Sequence, residues 1–86
     1  MKQHSVINQK RSELDPYQSL ANSVILLAVK DYRRGLKMRK KRLQSETARF
    51  LIEDAERFFK SDWFTVLTDV QGEWLINKIR EEFNDD

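Results

Sequence analysis

The chain has 86 residues, no cysteine, two glycines, one proline and a net charge of +2. Without cysteine it can form neither a disulfide framework nor a thiolate metal site, so the zinc-finger forms of small nucleic-acid binders are excluded. The longest apolar run, Val24 to Val29, is far short of the roughly 20 residues a membrane span needs, and the polar Met1-Lys2-Gln3-His4 start leads into no signal-peptide core.

The modest net charge conceals an asymmetry. Residues 1–44 hold eleven Lys/Arg against three acids, eight positive on balance. Residues 45–86 hold five bases against eleven acids, six negative, and the two halves together return the +2 of the whole. Such a split between halves points to a partner of one sign or to pairing within the fold.

Residues 1–14 are polar and aperiodic, carry Lys2, Lys10 and Arg11, and read as a flexible basic arm. Order is expected from Asp15. Asp15-Pro16-Tyr17-Gln18 joins an N-cap acid, proline at the first helical position and glutamine three residues after the cap. Tyr17, Leu20, Ala21, Val24, Leu27, Ala28 and Tyr32 then recur at spacings of three and four, which predicts a helix over about 16–42 with that stripe in the core. Val24 to Val29 is apolar all round and reads as its mostly buried centre. Gly35 marks a weak point or a close approach.

Ser45 is the expected N-cap of a second helix, whose apolar stripe is Ala48, Leu51, Ile52, Ala55, Phe58 and Phe59. Its other face, with Glu53 before Arg57 and Glu56 before Lys60 in the favourable i,i+4 order, reads as solvated surface. Ser61-Asp62-Trp63-Phe64 begins a short helix to about Leu67. Thr68 is expected to cap a last helix over about 70–83 with Leu75, Ile76, Ile79 and Phe83 inward. The sequence therefore predicts an all-α fold: a compact bundle of three main helices plus one short one, with the arm 1–14 ahead of a single domain over 15–86.

Little in this chain could carry catalysis. The lone histidine, His4, lies in the arm, the acids of Glu53-Asp54 and Glu56 or of Asp69 and Glu73 have ordinary roles as helix surface or caps, and there is no phosphate-cradling Gly-rich loop or nucleophile elbow. No enzyme activity, cofactor or metal site is expected. The basic segment says more. At 100° per residue Lys30, Arg33, Arg34, Lys37, Lys40 and Lys41 share an arc of about 120°, nearly opposite the apolar stripe. Arg39 and Arg42 continue the apolar side, which suggests that the end of this helix projects beyond the core with cations all round. Like charges at such spacing repel, so a counter-charge is expected. Phosphates of a nucleic acid would supply it; so would an internal fold-back of Glu53, Asp54 or Glu81, or an acidic protein surface.

Two aromatics fall off their stripes. Phe50 lies on the charged side of the second helix and Trp74 about 100° from Leu75, positions suited to interface anchors or base-stacking surfaces, or to packing on a neighbouring element. The order short helix, turn, helix invites a helix-turn-helix reading, yet the would-be recognition helix ends in Glu81-Glu82, the wrong sign for a major-groove reader.

Two stretches, Tyr17 to Ile25 with Ala28 to Arg33, and Glu56 to Phe64 with Leu67-Thr68 and Gly72 to Ile76, resemble short helical proteins carried by prophages and integrative elements of Gram-positive bacteria. The resemblance spans about two thirds of the chain and brings no assigned catalytic residues. It implies a mobile-element setting in the cytoplasm of a bacterial host, where such proteins regulate transcription, assist DNA metabolism or inhibit host defence, anti-CRISPR proteins included. The expected function is thus an accessory binding protein that contacts nucleic acid or a nucleoprotein through Lys30, Arg33, Arg34, Lys37, Arg39, Lys40, Lys41 and Arg42. The alternative is an anti-CRISPR-type inhibitor of a host CRISPR nuclease, anchored by Phe50 and Trp74. No membrane partner is expected, and a helix-mediated homodimer is possible.

Overall fold

A computed structural model of the chain describes residues 16–42 and 44–84; the arm, His4 and the Asp15 cap lie outside them. Four helices follow one another: α1 (Pro16–Lys41), α2 (Glu46–Phe59), α3 (Asp62–Leu67) and α4 (Gly72–Glu81). The described residues are otherwise turns and short connections, so the fold is all-α as the periodicity predicts.

Local chemistry sets most of the boundaries. Ser45 Oγ accepts a hydrogen bond from the Ala48 amide (3.1 Å), and Ser61 Oγ accepts one from Phe64 (3.2 Å), so α2 and α3 each begin on a serine that satisfies an otherwise orphaned donor. Thr68 does not cap the last helix. Its amide closes α3 onto the Phe64 carbonyl and its hydroxyl accepts from Val70 within the turn, while α4 starts after Gln71 with no side-chain cap.

α1 and α2 form an antiparallel hairpin that crosses closely at Gly35. A Cβ there would lie 2.9 Å from Ile52 Cγ1, 3.0 Å from Leu51 Cβ and 3.1 Å from the Ala48 carbonyl oxygen, so glycine marks a close approach rather than a weak point. α4 lies over one side of the hairpin and sends Ile76 and Ile79 into a core made with Val29, Tyr32, Leu36, Ile52, Ala55, Phe59 and Phe64. Edge-to-face rings bind that core together: Tyr32 and Phe59 have centroids 5.8 Å apart, Phe59 and Phe64 5.6 Å.

The core stripe of α1 departs from expectation in its first half. Tyr17 is 84% exposed, Leu20 63% and Leu27 59%, and Leu26 within the all-apolar run is also exposed; Ala21 is the one residue buried before Val29. The cause is length. α1 has 26 residues and α2 only 14, so once α2 is in register at Gly35 it ends opposite the middle of α1, and the start of α1 outruns α2, with only α3 and the turn after it, Val66 to Asp69, beside Gln18. It is this end that is thinly covered, and the basic end does not project: Leu36 is buried and Arg39 half-buried there.

Candidate functional site: a cationic ridge beside an internal ion network

The eight cations singled out by sequence divide into groups in the folded chain. Lys30, Arg34, Lys37 and Lys41 recur at intervals of four, three and four, which places them within about 60° of one another on the solvent side of α1. All four are exposed, and none forms an ion pair among the described residues. The ridge is about 16 Å long at 1.5 Å per residue, roughly five base-pair steps of a duplex.

Arg33 leaves this ridge. Its guanidinium meets the Glu82 carboxylate in a fork, Nε to Oε1 and Nη2 to Oε2 both at 2.9 Å, and ties α1 to the end of α4. That hydrogen bond is the main reason the Glu82 carboxyl sits below its ordinary pKa. The fold-back of acid onto base is thus real, but Glu82 makes it. Glu81 lies near Lys78 and Asp54 pairs with Arg57, both within their own helices, while Glu53 makes no ion pair among the described residues. Arg39 and Lys40 border a cavity of about 210 Å³ with Leu36, Arg80, Phe83 and Asn84, and Arg42 is exposed just past the end of α1.

Beneath the ridge lies a network that the sequence reading misses. The Tyr32 hydroxyl donates to Glu56 Oε2 (2.6 Å) and accepts from Arg80 Nε (2.9 Å), and Arg80 Nη2 donates to the same carboxylate oxygen at 2.7 Å. Three helices meet in these three side chains. Burial by itself would raise the Glu56 pKa, but the hydrogen bonds from Tyr32 and Arg80 and the charge of Arg80 outweigh it and hold the carboxyl below its ordinary value. The same burial, with the bond to Glu56, pushes Tyr32 up to about 12. The i,i+4 pattern places Glu56 beside Lys60 on solvated surface, whereas the fold turns it to Tyr32 and Arg80. The available signal was Arg80, a lone arginine amid the acids of the last helix.

Phe50 is 67% exposed and Trp74 53%; the Lys78 ammonium stands 5.9 Å from the Trp74 ring centroid. At the end of the α3–turn–α4 segment Glu81 and Glu82 neutralise Lys78 and Arg33, which does not suit a groove reader, and its first helix is only six residues long. Among the described residues no group of three His, Cys, Asp or Glu side chains could hold a metal ion, and no helix is long and apolar enough to cross a membrane. Comparisons with protein-family models, with curated proteins and with solved structures give no match to this chain.

Proposed function

We propose that this chain is a small accessory binding protein of the phage or mobile-element type, acting in the bacterial cytoplasm, that contacts nucleic acid or a nucleoprotein through Lys30, Arg34, Lys37 and Lys41, with Lys40 and Arg42 at the end of the ridge. The observation that carries the reading is selective neutralisation. The fold uses Arg33 and Arg80 in pairs with Glu82 and Glu56 and leaves the four-residue ridge exposed, with no ion pair among the described residues. A row of like charges repels itself and is relieved by an external polyanion. Lysine and arginine on phosphates give affinity, salt dependence and little sequence choice.

The test is fluorescence anisotropy of labelled duplex and single-stranded DNA and RNA, from low to physiological salt, beside a Lys30→Glu/Arg34→Glu/Lys37→Glu variant checked for helicity by circular dichroism. The expected result is binding that strengthens as salt falls and that the folded variant loses. Absence of binding at low salt, or full binding by the variant, overturns it. Exposed Phe50 and Trp74 favour a second reading, an anti-CRISPR-type inhibitor docked on a host nuclease. An aromatic-anchored complex persists at salt concentrations where a phosphate-driven one dissociates.

A further inference from the structure

We infer that this chain pairs with a second copy of itself, the two α1 helices lying antiparallel along Tyr17, Leu20, Val24 and Leu27. These residues are spaced three, four and three apart, the a/d repeat of a coiled-coil seam, and share an arc of about 80° between the side of α1 that meets α2 and the cationic ridge. Three of the four are more than half exposed. The seam continues into a groove of about 220 Å³ in which Val24, Leu27 and Ala28 of α1 face Leu51 and Phe58 of α2, with the exposed Trp63 and the carboxylates of Asp31 and Asp54 also lining it. α4 covers the other side of the hairpin and leaves this one open. A helix of matching pattern covers this open side, and the second copy's α1 is such a helix.

The next seam positions decide the direction. Asp31 and Arg34 follow Leu27 at spacings of four and three. In a parallel pair each would face its own copy, acid on acid and base on base. In an antiparallel pair Tyr17 faces Leu27 of the second copy and Leu20 faces Val24 of the second copy, so Asp31 and Arg34 fall level with positions ahead of Pro16 and neither meets its own copy. The uncovered part of Tyr17, Leu20, Val24, Leu27 and Trp63 is on the order of 500 Å² per chain, so a two-fold pair covers at most about 1,000 Å², the lower bound for a specific interface.

The pairing is independent of any nucleic acid. Where the proposed function also holds, it has a geometric consequence: a two-fold axis normal to the helix pair turns both ridges to the same side. Their midpoints are then about 40 Å apart at 1.5 Å per residue, near the 34–36 Å of one duplex turn.

The test is sedimentation equilibrium of the full chain, without nucleic acid, from micromolar to millimolar concentration. The mass is expected to rise from 10.3 kDa toward twice that value. A Leu20→Glu/Leu27→Glu variant, altered only at exposed positions, is expected to keep its helicity and remain at the single-chain mass. Because the chain has no cysteine, register can be read directly: Leu20→Cys/Val24→Cys is expected to cross-link into a covalent dimer on oxidation, and Leu20→Cys alone is not. A single-chain mass at every concentration overturns the pairing. A dimer that survives the glutamates overturns the surface, and ready cross-linking of Leu20→Cys alone overturns the direction. None of these outcomes depends on whether the ridge binds phosphate.

Discussion

The hydroxyl of Tyr32 donates to the carboxylate of Glu56 across 2.6 Å, and Arg80 bonds to both, so one tyrosine on α1 sets where α2 and α4 come to rest. Tyr32 is fully buried, its ring against Phe59, and its only polar atom would be costly to leave unmatched. Tyr32→Phe removes the donor but keeps the ring, and Glu56 keeps Arg80. The expected loss is about 1 kcal/mol. Glu56→Ala strips the Tyr32 hydroxyl of its acceptor and Arg80 of one of its two, and is expected to cost about 2 kcal/mol, less than for a fully buried charge because Arg80 retains contact with water. Urea unfolding of the two variants and of the double variant measures this; the network predicts that the double costs clearly less than the two singles together.

The same contacts predict how stability depends on pH. Glu56 and Glu82 have folded pKa values below the ordinary 4.5. A depressed carboxyl stabilises the fold above its unfolded pKa, and that contribution is lost as pH falls below 4.5 through the folded values. Tyr32 is raised from 10.0 to about 12, so its contribution is complete below pH 10 and lost between 10 and about 12, as the unfolded chain ionises first. Denaturation midpoints are expected to be flat through neutrality and to fall at both ends. Tyr32→Phe should remove the tyrosine part of the alkaline fall, and in a Tyr17→Phe variant the remaining tyrosine should ionise near 12 by absorbance.

Gly72 sits where no side chain fits. A Cβ there would stand 1.9 Å from the carbonyl oxygen of Phe59, and backbone cannot move aside as a side-chain tip can. Gly72→Ala must therefore push the start of α4 off the end of α2, at an expected cost of about 3 kcal/mol, the upper range for overpacking. At Gly35 the nearest atom belongs to the Ile52 side chain, and alanine gains about 1 kcal/mol in helix propensity, so a net loss of about 1 kcal/mol is expected there. Thermal and urea unfolding should rank Gly72→Ala as the worse of the two by a wide margin.

The parts of this fold that were legible in sequence are those decided within a few residues. Ser45 and Ser61 announce α2 and α3 because a cap needs only its own side chain and an amide three positions on. The inward residues of α2, Ala48, Ile52, Ala55 and Phe59, follow from period alone. Period does not say how much of a helix has something to pack against. α1 carries more apolar surface than α2 can cover, so Tyr17, Leu20 and Leu27 read as core and emerge exposed. The bonds from Arg80 to Glu56 and from Arg33 to Glu82 join residues 24 and 49 apart, and no local pattern encodes which acid reaches which base. The ridge was visible as a face, but which of its cations the fold neutralises was not.

Glu82 acts as a clamp on Arg33, and releasing it tests the link between fold and proposed binding. The pair is half-exposed, so its loss should cost only a few tenths of a kcal/mol despite its forked geometry. Glu82→Gln removes one negative charge beside the ridge and frees the Arg33 guanidinium, which lies toward the ridge's edge on the side of α4. If the ridge contacts phosphates, the variant should bind DNA more tightly at every salt concentration, and the slope of log affinity against log salt should steepen by about 0.9, the increment for one added phosphate contact on a duplex. Anisotropy titrations of wild type and Glu82→Gln at three salt concentrations measure both quantities. An unchanged slope with an unfolding midpoint close to wild type would mean that Arg33, though released, lies outside the phosphate-contacting surface, and would confine that surface to the row from Lys30 to Lys41.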